Sequence, residues 1–270
     1  MRQSAPRAPI NRRRRIVLSC AICLCAGRRS EPCAAQAGAA PVSTSAQLLD
    51  TLPAFERPNG SLLRTGALTY ALALTKPGGA TTALGVRTVT ITEAQLGGAP
   101  GWLVAESRTG TVVATSDSVY LSRADLAPER WSATNGSSKV GASFSRDSVF
   151  GAVDSYQGRS SFALAVPPNV LLSAGMLERV LELLPLREGY HVGASLLLIE
   201  GASQHLMPAE IIVRPPEPID IGGMTVDAWL VLLRWGANEE RLWIARGATR
   251  VVRTEQAVVG GLFTSLLQQP

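Results

Sequence analysis

Histidine, the side chain most often used in acid–base catalysis, occurs only twice in this chain. The only two histidines, His191 and His205, stand fourteen positions apart in a segment that reads strand, loop, strand. With Glu210 they could supply three zinc ligands, and either could serve a serine hydrolase with Asp220 or Asp227. Zinc ligands usually come in closely spaced pairs, and this spacing favours neither site. We interpret both histidines as strand-edge or loop residues.

The serines and carboxylates form no recognisable catalytic pattern. A nucleophile elbow needs Gly-x-Ser-x-Gly, and the nearest runs, Gly141–Ser145 and Gly193–Leu197, each lack the second glycine. Glu178 and Glu182 lie one helical turn apart and are predicted to form the solvent-exposed side of a helix. We therefore predict a protein that is not an enzyme and that uses no cofactor or metal. A hydrolase remains as an alternative.

All four cysteines lie within the first 37 residues, in a stretch typical of a secretory signal peptide. A basic block, Arg12–Arg15, precedes the apolar run Ile16–Gly27, and small residues flank Gln36. Twelve helical residues span about 18 Å, whereas a bilayer core is about 30 Å thick. We predict a signal peptide over residues 1–37 that is cleaved near Ala37. Cleavage there leaves no thiol in the mature chain.

The predicted signal peptide determines neither the export route nor whether the protein carries an acyl group. The arginine run fits the Sec route or the twin-arginine route. Val17-Leu18-Ser19-Cys20 is similar to a lipoprotein box, which makes Cys20 a candidate for acylation. In either case we predict an exported protein of the periplasm or outer cell envelope of a bacterium.

The formal charge of +5 comes mainly from the signal peptide. Residues 1–37 hold eight of the 26 basic and one of the 21 acidic residues, so the remainder has 18 basic and 20 acidic side chains. Only two lysines, Lys76 and Lys139, are present in the chain. Without a basic stripe to neutralise phosphates, nucleic acid is not an expected partner.

Strand patterns dominate the rest of the sequence. In Gly66–Thr75, bulky and small residues alternate, and Val89 and Ile91 alternate with threonines in a second run. Such segments recur about every ten residues and are joined by glycine-rich turns, which predicts an antiparallel meander. We place one domain at residues 62–270, after a flexible lead-in at residues 38–61 that is rich in Ala, Pro, Ser and Thr.

One segment has helical spacing instead. Asn169 can cap a helix over Val170–Leu184, whose apolar face holds Leu177, Val180, Leu181 and Leu184. Glu178, Arg179 and Glu182 are predicted to lie on the opposite, solvent-exposed face. A long antiparallel sheet with one amphipathic helix can bury its apolar face by curling around the helix. The predicted fold is therefore mainly β: one curved antiparallel sheet, or half-barrel, with one helix.

Five stretches of the chain resemble a family of bacterial periplasmic domains of unknown function: Tyr120–Trp131, Leu177–His191, Asp227–Val231, Arg241–Ala245 and Arg250–Glu255. The resemblance implies the half-barrel of the lipoprotein carriers of the LolA and LolB type, which hold acyl chains inside a curved sheet. It implies no catalytic residue. Val231–Trp235 departs from the family pattern because it is more apolar than an exposed strand of that family.

A hollow of this kind needs apolar lining and no catalytic side chain. We predict that the protein binds or carries a lipid, an acyl chain or another hydrophobic small molecule. The alternative is an envelope scaffold or assembly partner that uses its sheet edge or outer face to bind another envelope protein. The candidate lining residues are the large apolar side chains of the strands and helix: Tyr70, Trp102, Trp131, Leu177, Leu181, Trp229 and Trp243.

Overall fold

A single β-sheet forms most of the described part of the protein. The computed structural model describes residues 51–110, 114–200 and 203–268. The predicted signal peptide, its cleavage site and Cys20 lie outside these residues. No helix among them is long and apolar enough to cross a membrane.

The sheet has fifteen strands, most of them seven to twelve residues long. In chain order they are β1 (Gly66–Thr75), β2 (Thr81–Leu96), β3 (Ala99–Gly110), β4 (Thr115–Ser122), β5 (Pro128–Asn135), β6 (Ser138–Phe144), β7 (Ser148–Ser155), β8 (Gly158–Ala165), β9 (Leu171–Leu172), β10 (His191–Glu200), β11 (Ser203–Ile221), β12 (Met224–Trp235), β13 (Asn238–Ala245), β14 (Arg250–Val258) and β15 (Gly261–Leu267).

The strands form a meander that runs outward from the middle of the sheet. The order is β8-β7-β6-β5-β4-β3-β2-β1-β15-β14-β13-β12-β11-β10-β9. Neighbouring strands are antiparallel, except that β9 pairs with β10 in parallel. The first and last of the described strands, β1 and β15, therefore lie side by side at the centre.

The two edge strands of this sheet are consecutive in the sequence, and this forces the sheet to curl. Residues 166–170 join β8 to β9, so Ala165 and Leu171 can be at most about 20 Å apart. Fifteen strands laid flat would span roughly 65–70 Å. The sheet must curve until its edges approach each other at that end. This confirms the predicted fold class: one curved, mainly antiparallel sheet with one helix.

A pair of facing glycines allows β2 and β3 to bend sharply. Gly85 and Gly110 are direct partners, and both have φ of +135°. A Cβ on Gly85 would lie 1.9 Å from the Thr109 carbonyl oxygen, so no other residue fits there. The ladder between β1 and β2 also shifts register directly beside Gly85, after Leu72. Glycine kinks and bulges at one place are a common device for curving a sheet.

The strand register defines which side chains share the concave face. Directly paired residues project to the same side of a sheet, and Tyr70 pairs with Arg87, which pairs with Arg108. The helix packs on this side, because Arg87 forms an ion pair with Glu178 of the helix. We call this side of the sheet the inner face. The predicted alternation in β1 is confirmed: Leu68, Tyr70 and Leu72 are all buried.

The helix is shorter than the sequence predicts. Helix α1 spans Met176–Glu182, and the first part of the predicted helix forms β9 instead, where Leu171 and Leu172 pair with β10. The Asn169 side chain does not cap α1; it donates to the Phe55 carbonyl at 3.1 Å. A short apolar run such as Val170–Leu172 is compatible with a buried strand as well as with a helix. Here it pairs with the free edge of β10.

The prediction that Glu178, Arg179 and Glu182 face solvent is wrong. All seven residues of α1 are buried, and these three are only 6%, 1% and 3% exposed. The helix lies inside the curled sheet, so both its apolar and its charged side contact protein. The charged side is accommodated because strands on the inner face supply partner charges.

The described end of the predicted lead-in packs on the sheet. The Phe55 amide donates to the Gly193 carbonyl at 2.7 Å, and its ring is buried. The Arg57 guanidinium donates to the carbonyl oxygens of Leu126 and Val170, at 3.2 and 2.6 Å. Residues 51–61 therefore hold the link between the two edge strands in place.

Candidate functional site

Five of the seven predicted lining residues come together at the inner face. Tyr70, Trp102 and Trp131 are buried on strands of that face, and Leu177 and Leu181 are buried on α1. Ligand binding by these residues stays a prediction.

The other two predicted lining residues stand apart from this group. Trp229 belongs to the inner-face rows but is only half-buried in the middle of β12, under the Arg246 guanidinium at 5.2 Å. Trp243 pairs with Leu230 and Arg253, in the row that projects from the outer face. It is nevertheless buried, because the Arg253 guanidinium covers its ring at 5.0 Å.

Two of the residues considered for zinc binding, His191 and Glu210, contact each other, and the two aspartates considered for hydrolysis have other partners. His191 Nε2 lies 3.1 Å from Glu210 Oε2, Asp227 pairs with Arg246 at 2.8 Å, and the Asp220 carboxylate accepts from the Gly223 amide. Across the residues that the structure describes, no three His, Cys, Asp or Glu side chains are grouped so that they could hold a metal ion.

A chain of buried ion pairs connects α1 to the strands on one side. Arg87 on β2 is at its centre: its Nη2 lies 2.7 Å from Glu106 Oε2 on β3, and its Nη1 lies 2.6 Å from Glu178 Oε1 on α1. These three side chains are at most 8% exposed. Their charges are therefore neutralised by one another and not by water.

The same series of ion pairs continues along the helix to β14 on the opposite side of the sheet. Arg179 lies 2.8 Å from Glu178 and 2.9 Å from Glu182. Glu182 Oε1 then accepts a hydrogen bond from the Val251 amide of β14 at 2.7 Å. We call Glu106, Arg87, Glu178, Arg179 and Glu182 the ion-pair chain. It joins β3 and β2, through α1, to β14.

Tyr70 contacts the ion-pair chain at Arg87 and also binds β14 at Val251. Its hydroxyl donates to the Val251 carbonyl at 3.0 Å, and the Arg87 guanidinium lies 5.1 Å from its ring centre. Burial raises the pKa of Tyr70 to about 12, so the hydroxyl stays a donor. Arg108 adds a second cation to Glu106 at 2.7 Å. Burial would raise the pKa of Glu106, but Arg87 and Arg108 outweigh it and hold that pKa at about 2.

Two further carboxyl groups border the ion-pair chain without a bonded cation. Asp117 on β4 is the direct partner of Glu106, and its Oδ1 is buried without a hydrogen-bond partner among the described residues. Burial and the charge of Glu106 raise its pKa to about 7. On β13, burial and the charge of Glu178 raise the pKa of Glu240 to about 7.

Glu182, inside the chain, is also shifted upward. It is bound by Arg179 and by a backbone amide, and both contacts favour the ionised carboxylate. Burial outweighs them and raises the pKa of Glu182 to about 7. Three carboxyl groups around α1 therefore exchange protons near neutral pH. Five carboxyls and three arginines compose the group that we call the helix seat: Glu106, Asp117, Glu178, Glu182, Glu240, Arg87, Arg108 and Arg179.

The sequence analysis missed the helix seat, although a signal was present. Arg87 stands two positions before Val89 in the alternating run that continues to Ile91, so it belongs to the apolar side of β2. Glu106 likewise follows Trp102 and Val104 at spacing two. A charged residue in the apolar row of a strand indicates a buried partner, because buried charges are almost always paired.

Two open cavities are present in the described part of the protein, and Glu106 and Asp117 of the helix seat line one of them. One, of about 440 Å³, is at an end of the sheet between Arg57, Glu129 and Arg146. The other, of about 350 Å³, follows the Ser and Thr rows of β2 to β5, which alternate with the inner-face rows. Charged and hydroxyl residues are frequent in the lining of both cavities, in contrast to the apolar core under α1.

Comparison with known proteins gives the fold and no family. No family model matches the chain, and no curated protein matches it significantly. A beta-barrel-like protein of the domain of unknown function DUF1849 from Brucella abortus superposes with a TM-score of 0.51 at 9% identity, over 81% of this chain and 98% of that one. The hypothetical lipoprotein YmcC from Escherichia coli aligns over 87% of this chain and 100% of its own, with a TM-score of 0.34 and 12% identity. The chain thus has a fold similar to that of the DUF1849 protein.

Proposed function

We propose that the protein is an exported, non-enzymatic carrier or binder of a hydrophobic molecule in the bacterial envelope. The ligand, a lipid or an acyl chain, takes the space between the inner face and α1. The observation that carries this proposal is a large apolar concave surface covered by one seven-residue helix. A hydrophobic ligand and the apolar side of such a helix present the same kind of surface to the sheet.

The contacts between α1 and the sheet are of a kind that would let the helix move away from the inner face. Among the described residues, no backbone hydrogen bond joins α1 to a strand. Its contacts with the sheet are side-chain contacts: Leu177, Val180 and Leu181 in the core, and the ion-pair chain. Displacing α1 therefore leaves the ladder of the sheet intact while it uncovers inner-face apolar surface.

The energy available to such a ligand is sufficient. Burying ten methylene groups contributes about 8 kcal/mol at about 0.8 kcal/mol each. Before ordering costs, this corresponds to a dissociation constant of about 1 µM. Shape and apolar area are enough for such a site, which agrees with the lack of a catalytic pattern in the sequence.

Mass spectrometry of the mature protein tests this function. The protein is purified under mild conditions from a bacterial envelope, extracted with organic solvent, and the extract is analysed for lipids. We expect one lipid class at a fixed ratio to protein. Repeated preparations that contain no lipid would overturn the proposal.

A matched pair of variants locates the ligand. Trp131→Leu removes an inner-face indole whose Nε1 has no hydrogen-bond partner among the described residues, and we expect it to lower the lipid ratio. Trp243→Leu removes an indole of the outer-face row and is expected to keep the ratio. Equal loss in both variants would mean that the lipid binds elsewhere.

A second candidate function is an envelope scaffold or assembly partner without a ligand. It is favoured by the packing of the interior around α1 and by the two open cavities, which charged and hydroxyl residues line in part. Affinity purification that recovers one envelope protein at fixed stoichiometry, with no extracted lipid, would select this function over the carrier.

A further inference from the structure

Helix α1 is bonded to two sides of the curled sheet: to β2 and β3 on one side and to β14 on the other. On one side Arg87 links it to β2 and β3, and on the other Glu182 accepts from the Val251 amide of β14. Arg179, only 1% exposed, joins the two ends within the helix. Any outward movement of α1 must break at least one of these buried contacts.

Carboxyl groups of β3, β4 and β13 lie close to these contacts. The charged and titratable groups that act on them are Tyr70 on β1, Arg87 on β2, Glu106 and Arg108 on β3, Asp117 on β4, Glu240 on β13 and Arg250 on β14. Asp117 and Glu240 are bonded to no cation of the described residues. They add negative charge beside Glu106 and Glu178, which the three arginines of the helix seat already neutralise.

We propose that α1 is a proton-sensitive closure of the inner face, which stays seated while the bordering carboxyl groups hold protons and loosens when they lose them. The closure is a property of the protein alone, so it holds whether or not a hydrophobic ligand is the cargo. It gives a physical means of opening the interior without unfolding the sheet.

The direction follows from proton linkage. When α1 leaves, Asp117, Glu182 and Glu240 become hydrated and return toward their ordinary pKa values near 4, from about 7 in the closed state. Opening therefore releases protons and is favoured as pH rises from about 4 to 7, and the effect levels off above pH 7. Glu106 has a pKa of about 2 in the closed state and acts in the opposite direction only below about pH 4.5.

Amide hydrogen exchange at two pH values tests the closure. Protection factors, already corrected for the intrinsic pH dependence of exchange, are measured for residues 176–182 of the full mature chain at pH 5.5 and pH 8. We expect the opening constant of α1 to rise by at least about tenfold, the effect of a single carboxyl with this shift. Protection of the central strands β2 and β3 should exceed that of α1 at both values.

Neutral variants identify the groups responsible. Asp117→Asn combined with Glu240→Gln imitates the protonated pair and should at least halve the logarithmic pH effect on α1. Asp154→Asn, in an exposed ion pair on β7, is the matched control and should keep it in full. The hairpin β7–β8 reports folding in each variant.

Three results would overturn the closure. One is equal protection of α1 at both pH values in the unmodified protein. Another is an unchanged pH effect in the double variant. The third is a common opening constant for α1, β2 and β3, which would mean that the helix exchanges only through global unfolding. None of these results depends on whether a lipid is found in the purified protein.

Discussion

The helix seat and the outer wing formed by β6, β7 and β8 belong to one sheet but differ in what they bury. The wing buries small and β-branched residues such as Ala142, Val149 and Val153. Its ion pair, Arg159 with Asp154, spans 3.9 Å with side chains 71% and 55% exposed. In the helix seat, by contrast, four of the ion-pair contacts involve side chains that are all at most 8% exposed.

This difference shows what the buried charges are for. Backbone ladders hold both regions, so ion pairs are not needed to form the sheet. A buried ion pair adds little net stability compared with apolar residues of similar volume, but breaking it is costly. The helix seat therefore fixes the position of α1, while the wing is held by ordinary burial and hydrogen bonds.

The largest expected effect comes from removing the central cation. Arg87→Leu leaves the buried carboxylates of Glu106 and Glu178 without their shared partner, and we expect a loss of about 3–5 kcal/mol in the free energy of unfolding. Arg159→Leu in the wing should change it by less than about 1 kcal/mol. Urea denaturation at pH 7 measures both. Similar losses in the two variants would remove the distinction between the regions.

A smaller loss is expected from the apolar side of the helix. Leu181 is fully buried, so Leu181→Ala should lower the free energy of unfolding by about 2–5 kcal/mol, through lost burial and the cavity left behind. Leu164→Ala, at a half-buried position of β8, should lower it by about 1 kcal/mol. Thermal unfolding of the two variants compares them. A larger loss at Leu164 would place the critical packing in the wing.

The pH dependence of stability sharpens the contrast further. The pKa of Asp117 is raised to about 7 in the folded protein, so its ionisation destabilises the fold as pH rises from about 4 through 7. Asp117→Asn should therefore stabilise the protein by about 1–3 kcal/mol at pH 8 and give no such gain at pH 4. Urea denaturation at the two pH values measures the gain. A gain of the same size at both would assign it to packing.

The smallest expected effect concerns a single hydrogen bond. Tyr70→Phe removes the hydroxyl that donates to the Val251 carbonyl at 3.0 Å, and we expect a loss of about 1 kcal/mol. Tyr156→Phe in the wing, at a side chain that is 84% exposed, should have no measurable effect. Chemical denaturation of both variants at pH 7 provides the measurement.

Local patterns were sufficient to predict an antiparallel sheet, although they gave no strand at Ser148–Ser155 or Gly158–Ala165. The alternation in Gly66–Thr75 gave β1 with the observed bounds, because a strand with one buried face leaves a period of two in its own residues. The curved sheet with one helix also followed, since an apolar face of this length needs a cover.

The site could not be predicted in the same way, because its partners are distant in sequence. Glu178 and Arg87 are 91 positions apart, and Glu182 and Val251 are 69 apart. By spacing alone, Glu178 and Glu182 fit the exposed side of a surface helix, which is the more common arrangement. Their burial depends on the curling of the sheet, which brings β2, β3 and β14 around the helix.

The central position of β1 has a consequence for the order in which the protein can fold. Each neighbour pair in the two arms of the meander is close in sequence. In contrast, Tyr70 of β1 pairs with Leu267 of β15, and β15 is synthesised after the other fourteen strands. Until β15 is available, β1 presents an unpaired edge in the middle of the future sheet, and such edges are prone to aggregation. Long-range pairing is also slow to form. A chain that is cut short before β15 would therefore keep two separate arms, however well each arm folds.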